Sequence, residues 1–229
     1  MQEPAEKPRT LLMPRQTSAV LFLLLVMKLI LMIGPPPASA DNVVELPVLV
    51  AVGANDRGAF EVMVMQWDQK PSPDPIAIKW ANARITFVGA YLQAIKKALT
   101  YAVDRTPSIP HTGSIWIKGA AYAPTSTDGP SAGAAMTVGF LAVLKGDHIQ
   151  RGVAVTGTIE PDGRIGSVGA IPDKIRAAAR EGYRTILVPQ GQINDPRWNL
   201  NSLAMSLNVT VKEVGTIDEA YELMTGHRL

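Results

Sequence analysis

The chain has 229 residues, with 22 Lys and Arg against 20 Asp and Glu, three histidines and no cysteine. The missing cysteine excludes disulfides, thiolate metal sites and a cysteine nucleophile. Residues 1–40 hold four of the basic and two of the acidic groups, so residues 41–229 carry 18 of each. That balance offers no basic footprint for a nucleic acid.

Lys7, Arg9 and Arg15 precede an apolar run from Ala19 to Ile33. Gly34-Pro35-Pro36-Pro37 follows, and then the small-residue triplet Ala38-Ser39-Ala40. This order predicts a signal peptide cleaved after Ala40. The run is 15 residues long and contains Lys28, against the roughly 20 apolar residues that a bilayer span requires. Retention as an N-terminal anchor is the alternative. The expectation is an exported protein, periplasmic or secreted or else anchored facing outward, with membrane contact only through this segment. The 189 residues after Ala40 are enough for one domain with a sizeable core.

Val43 to Val52 is β-branched and apolar, which predicts a largely buried strand. Asn55-Asp56-Arg57-Gly58 reads as a turn, and Glu61 to Met65 as its hairpin partner. Lys70 to Pro75 is a proline-rich loop, with a short strand over Ile76 to Trp80. Val88, Leu92, Ile95, Leu99 and Ala102 fall at helical spacing and predict an amphipathic helix over 88–103. Its Lys96-Lys97 pair reads as a solvated face. Ser114 to Gly119 alternates as a strand, and Ala121 to Thr127 is a loop.

A helix is expected from Ser131 to Lys145, closed by Gly146. Gly152 to Ile159 reads as a strand, Pro161-Asp162-Gly163 as a tight turn, and Arg164 to Val168 as a short return strand. A helix from Gly169-Ala170-Ile171-Pro172 to about Arg180 follows, then a strand over Thr185 to Val188. A weaker helix near Leu200 to Leu207 and a strand over Val209 to Val214 precede the last helix. That helix opens on the capping box Thr216-Ile217-Asp218-Glu219 and reaches Met224. Hairpins mixed with helices predict one α+β domain.

The chemistry centres on Asp128-Gly129-Pro130-Ser131-Ala132-Gly133. A serine at a helix start lies where backbone N–H groups lack partners and negative charge is favoured. The string matches a G-x-S-x-G nucleophile elbow, but the polar Pro124 to Asp128 replaces the buried strand that an elbow requires. A Ser-His-Asp triad would draw on Asp147, Asp162, Asp173, Asp195 or Asp218 with His227 near the C-terminus. The three histidines form no ligand-spaced pair, and no metal or other cofactor is expected. A lysine can replace histidine as base where burial favours its neutral form. Lys174, in the first turns of a helix behind the glycine-rich Gly166 to Gly169, is the candidate. The duller reading is an exposed helix-surface lysine.

The segment from about Asp128 to Val188 resembles the proteolytic domain of Lon, the ATP-dependent protease. Asp128-Gly129-Pro130-Ser131-Ala132-Gly133 matches the nucleophile motif of that family, and Val153-Ala154-Val155-Thr156-Gly157 resembles its V-A-M-T-G strand. Gly163-Arg164, followed by Val168-Gly169-Ala170-Ile171-Pro172-Asp173-Lys174, resembles its G-R/Q…I-G-G-L-K-E-K segment, and Tyr183 to Pro189 its next strand. The 43 positions from Ser131 to Lys174 match the family's catalytic pair. The resemblance implies an α+β fold of the ribosomal protein S5 domain 2-like type. It also implies Ser131 as nucleophile, Lys174 as general base, Thr156 contacting that lysine, and Asp128 bordering the site. Backbone N–H groups of Ser131 and Ala132 would form the oxyanion site.

Thr158 stands where the family has Glu, Pro172 where it has Lys, and Trp116 and Lys118 where many members carry histidines. No G-x-x-x-x-G-K-[ST] phosphate loop is present in the sequence. The expectation is therefore an ATP-independent serine endopeptidase acting on peptides or unfolded proteins, with the hexameric ring as the assembly that the resemblance implies. The rival is a catalytically silent Lon-like binding or assembly module, and a third reading requires a separate activating partner.

Overall fold

The structure, a computed structural model, describes residues 42–52, 57–81, 85–87, 89–120, 125–127 and 129–229. The leader, the Asn55-Asp56 part of the expected turn, Val88, the start of the Ala121–Thr127 loop and Asp128 lie outside the described residues. The strands are β1 (Asn42–Val52), β2 (Arg57–Asp68), β3 (Ala77–Trp80), β4 (Ile85–Phe87), β5 (Ser114–Ala120) and β6 (Thr125–Thr127). They continue with β7 (Val153–Val155), β8 (Thr158–Ile159), β9 (Ile165–Gly166), β10 (Thr185–Pro189) and β11 (Thr210–Val214). The helices are α1 (Gly89–Arg105), α2 (Gly133–Lys145), α3 (Ile171–Arg180), α4 (Leu200–Leu207) and α5 (Ile217–Thr225).

β1 and β2 form the expected antiparallel hairpin, in register from Asn42↔Trp67 to Val52↔Arg57. They are the centre of a seven-stranded mixed sheet of order β11-β10-β7-β1-β2-β5-β3. Period-two alternation assigns the faces. Val44, Leu46, Val48 and Val50 of β1, with Met63 and Met65 of β2, pack with α1, α2 and α5 in one core. Leu49, Ala154, Ile186 and Val188 point the other way and pack with Ile171, Ile175 and Ala178 of α3 and Leu200 of α4. The result is an α+β domain with helices on both faces of its main sheet.

α2 is buried from Gly133 to Leu144, and its apolar circumference makes it a core helix rather than a surface one. Gly146 closes it in the left-handed conformation at φ 77°. The α5 cap forms with one change from the predicted box: Thr216 Oγ1 accepts from the Glu219 N–H, while Glu219 Oε2 accepts from Gly215 N–H, one residue before the N-cap.

Arg57 and Gly58 of the expected turn already belong to β2, and four further details depart from the sequence reading. α1 buries Tyr91, Ala94, Ile95, Ala98 and Ala102, whereas Leu92 and Leu99 are only half-buried. Small alanines let α1 approach α2, which turns the helix by about one residue from the face that the leucines define. The expected strand over 152–159 is two strands, broken at Thr156-Gly157. Residues 125–127 inside the expected loop pair with 85–87 as a two-stranded parallel sheet. Ser131 lies in a 3-10 turn, Pro130–Ala132, ahead of α2 rather than in its first α turn.

Candidate active site

The site begins at the break in β7–β8. Gly157 N–H donates to the Ser131 carbonyl at 2.9 Å, and Ala134 N–H donates to the Gly157 carbonyl at 2.9 Å. These bonds clip the serine turn to the sheet. The close fit depends on glycine: a Cβ on Gly157 would lie 2.2 Å from Ile165 Cγ2, and one on Gly133 2.9 Å from Ile159 N. The 3-10 turn starts with Pro130, and Gly133 N–H bonds back to the Pro130 carbonyl.

Lys174 reaches the same break from the opposite side. α3 is amphipathic, and its buried residues are Ile171, Lys174, Ile175, Ala177 and Ala178. The lysine therefore occupies a position on the apolar stripe and is only 1% exposed, which removes the surface-lysine reading. Its Nζ donates to Thr156 Oγ1 at 3.2 Å. Thr156, fully buried, in turn donates from Oγ1 to the Ser131 carbonyl at 3.3 Å. One hydroxyl thus touches both the serine segment and the lysine. Thr156 N–H also donates to the Leu187 carbonyl at 3.0 Å, fixing the threonine to β10.

Two further contacts aim α3, and neither is marked in the local sequence. Gly58 of β2 passes so close that a Cβ there would lie 2.0 Å from the Asp173 carbonyl oxygen and 2.7 Å from Lys174 N. Gln192 is buried and holds both backbone groups of Val168: its Oε1 accepts from Val168 N–H and its Nε2 donates to the Val168 carbonyl, each at 2.9 Å. This clamp fixes the turn that leads into Ala170, whose φ of 55° places a non-glycine residue in the left-handed region just before α3. The bond from Lys174 N–H to the Ala170 carbonyl, 3.1 Å, begins the helix there. Gln192 stands 24 residues from its partner inside a polar loop, so only the tertiary fold reveals its role.

The histidines lie in other settings. His111 Nε2 is 2.8 Å from Thr106 Oγ1. His227, 63% exposed, is 3.9 Å from Asp147, whose carboxylate accepts a hydrogen bond from the Tyr221 hydroxyl. None of the histidine contacts among the described residues involves Ser131. Burial and the Asp147 carboxylate both push the Tyr221 hydroxyl well above its ordinary pKa. Among the described residues, no group of three or more His, Asp or Glu side chains is placed to hold a metal ion. No helix among them is long and apolar enough to cross a membrane.

The chain is 35% identical to the Lon protease of Haemophilus influenzae over 97 residues, which cover 42% of this chain and 12% of that protein. It is 28% identical to Lon protease 2 of Syntrophobacter fumaroxidans over 153 residues, 62% of this chain and 19% of the relative. The Lon protease of Xanthomonas oryzae pv. oryzae is 45% identical over 65 residues, 28% of this chain and 8% of that protein. The chain thus spans less than a fifth of the length of each of these relatives. Residues 93–224 match the family model of the Lon protease (S16) C-terminal proteolytic domain. With more than half of its residues matched, the chain belongs to the Lon protease (S16) C-terminal proteolytic domain family, a family of serine endopeptidases.

Proposed function

We propose that this chain is an exported endopeptidase that cleaves peptides or unfolded proteins without ATP, with Ser131 as nucleophile and Lys174 as general base. The observation that carries the reading is the Thr156 hydroxyl, bonded to Lys174 Nζ on one side and to the Ser131 carbonyl on the other. Burial of Lys174 supports its role, because removal from water works against the ammonium form and favours a neutral amine able to take a proton.

In the proposed reaction, Lys174 Nζ accepts the Ser131 hydroxyl proton as Ser131 Oγ attacks the peptide carbonyl carbon. The tetrahedral oxyanion is stabilised by backbone N–H groups of Ser131 and Ala132. Collapse breaks the C–N bond, the Lys174 ammonium returns its proton to the leaving amine, and an acyl-enzyme ester remains. Lys174 then deprotonates a water that attacks the ester carbonyl. The C–O bond to Ser131 breaks, the Lys174 ammonium returns the proton to Ser131 Oγ, and the second product leaves. The motif resemblance adds Asp128 to this scheme as the acid expected beside the pair.

ATP independence is part of the proposal, and the nucleotide-free assay below tests it. Export is supported by the pattern of basic residues, apolar run and Ala38-Ser39-Ala40 in residues 1–40. A homo-hexamer is the assembly that the family resemblance suggests.

Casein digestion by the full chain without nucleotide tests the reading. Unmodified protein is expected to cleave, and Ser131→Ala and Lys174→Ala are each expected to lose cleavage with unchanged circular dichroism. Cleavage that persists in either variant removes the dyad. An unmodified, folded protein that binds casein but never cuts it is the result expected of the silent binding module.

A further inference from the structure

Two adjoining cavities, of about 320 and 330 Å³, lie between α1 and the β8 strand with the turn that follows it. The first is bounded by Lys96, Lys97, Tyr101, Asp104, Glu160 and Pro161. The second is bounded by Ala90, Gln93, Lys97, Pro130, Thr158 and Glu160. Lys97, Ile159 and Glu160 belong to both, so the two cavities form one groove along α1. Its near end is Pro130, the residue directly before Ser131. Ile159 and Ala94 are buried and give it an apolar floor.

The dimensions suit an extended chain. From Ala90 to Asp104 a helix rises about 21 Å, at about 1.5 Å per residue. An extended peptide covers that distance with about six residues, at about 3.4 Å each. The charges on the walls are not equivalent. Glu160 accepts a hydrogen bond from Thr158 Oγ1 at 3.3 Å and is half-buried. Asp104 stands at the far end. Lys96 and Lys97 are exposed and have no ion-pair partner among the described residues. Lys97 is seven positions along α1 from Ala90, or about 10 Å, which corresponds to about three extended residues.

We infer that this groove holds an extended stretch of the substrate on one side of the cleaved bond, and that Lys97 selects an acidic side chain about three residues from that bond. The inference rests on the proposed peptidase reading. It assigns the Lys96-Lys97 face, which the sequence alone presents as merely solvated, a part in substrate choice.

The test uses the full chain and a synthetic peptide with one cleavage site, along which a single Asp is walked position by position on either side of the bond. Cleavage efficiency, kcat/KM, is expected to peak with Asp about three residues away and to fall by about two- to fivefold when Lys replaces it there, the range of an exposed ion pair. Lys97→Gln should flatten the preference, and Lys97→Glu should reverse it. In parallel, fluorescence anisotropy of the same labelled peptides on Ser131→Ala reads binding without chemistry. Efficient cleavage indifferent to Asp position and to Lys97 charge overturns the groove. Asp-dependent binding to Ser131→Ala, lost in Ser131→Ala/Lys97→Gln, supports the groove even if the unmodified chain proves unable to cleave, which would overturn only the peptidase reading.

Discussion

Thr156 has a side chain that serves two partners at once, and its removal separates positioning from chemistry. Thr156→Val keeps the shape but leaves Lys174 Nζ without this acceptor. Loss of this hydrogen bond costs about 1–3 kcal/mol, which corresponds to about 5- to 150-fold in rate if it falls on the transition state. The pH dependence carries the sharper reading. If Lys174 must be neutral to act, activity should rise with increasing pH as the ammonium loses its proton, and fall again on acidification. The Thr156 oxygen accepts a hydrogen bond from the amine and steadies its charged form, so Thr156→Val should move that rise to lower pH while kcat falls. A kcat/KM profile measured on both proteins checks this. An unshifted profile would show that the threonine only supports the fold.

At the scale of elements, the site depends on how β2, the β7–β8 break and the start of α3 meet. Ala170 enters α3 at φ 55°, where a Cβ costs about 1–2 kcal/mol. The family segment that this stretch resembles has glycine at that place. Ala170→Gly should relieve the strain, offset in part by the greater freedom of glycine in the unfolded chain. The expected net gain is about 0.5–1 kcal/mol, or about 1–4 °C in Tm for a protein of this size. Calorimetry checks it, and a lower Tm would mean that the Ala170 methyl contributes more through packing than it costs in strain. The same scale explains where sequence reading fell short. Residues 85–87 and 125–127 are strands of only three residues each, too short for a period to show. The break at Thr156-Gly157 is hard to place from the run Val153 to Ile159 because what interrupts the strand is the serine turn, 25 positions earlier in the chain.

For the whole molecule, the two cores follow from alternation along the central strands, and each core positions one half of the site. The core on the α1, α2 and α5 side carries the serine turn, while the core on the α3 and α4 side carries Lys174. The proposal for residues 1–40 belongs at this scale as well. Protein recovered after expression in a bacterium that exports it should begin at Asp41 by N-terminal sequencing, whereas recovery of the uncleaved chain in the membrane fraction would establish the anchor reading.

The sequence by itself determined the β1–β2 hairpin, the order of the helices and later strands, the caps at Gly146 and Thr216, and the serine and lysine in family register. Those features rest on local periodicity, turn chemistry and motif spacing, which act between near neighbours in the chain. Only the tertiary structure decided that Lys174 is a core residue rather than a surface one. It alone brought the Thr156 hydroxyl between lysine and serine segment, and set Gly58 and Gln192 to hold α3 in place. Those relations join residues 18 to more than 100 positions apart. They arise from close packing across the sheet, where a single added Cβ at Gly58 would meet backbone.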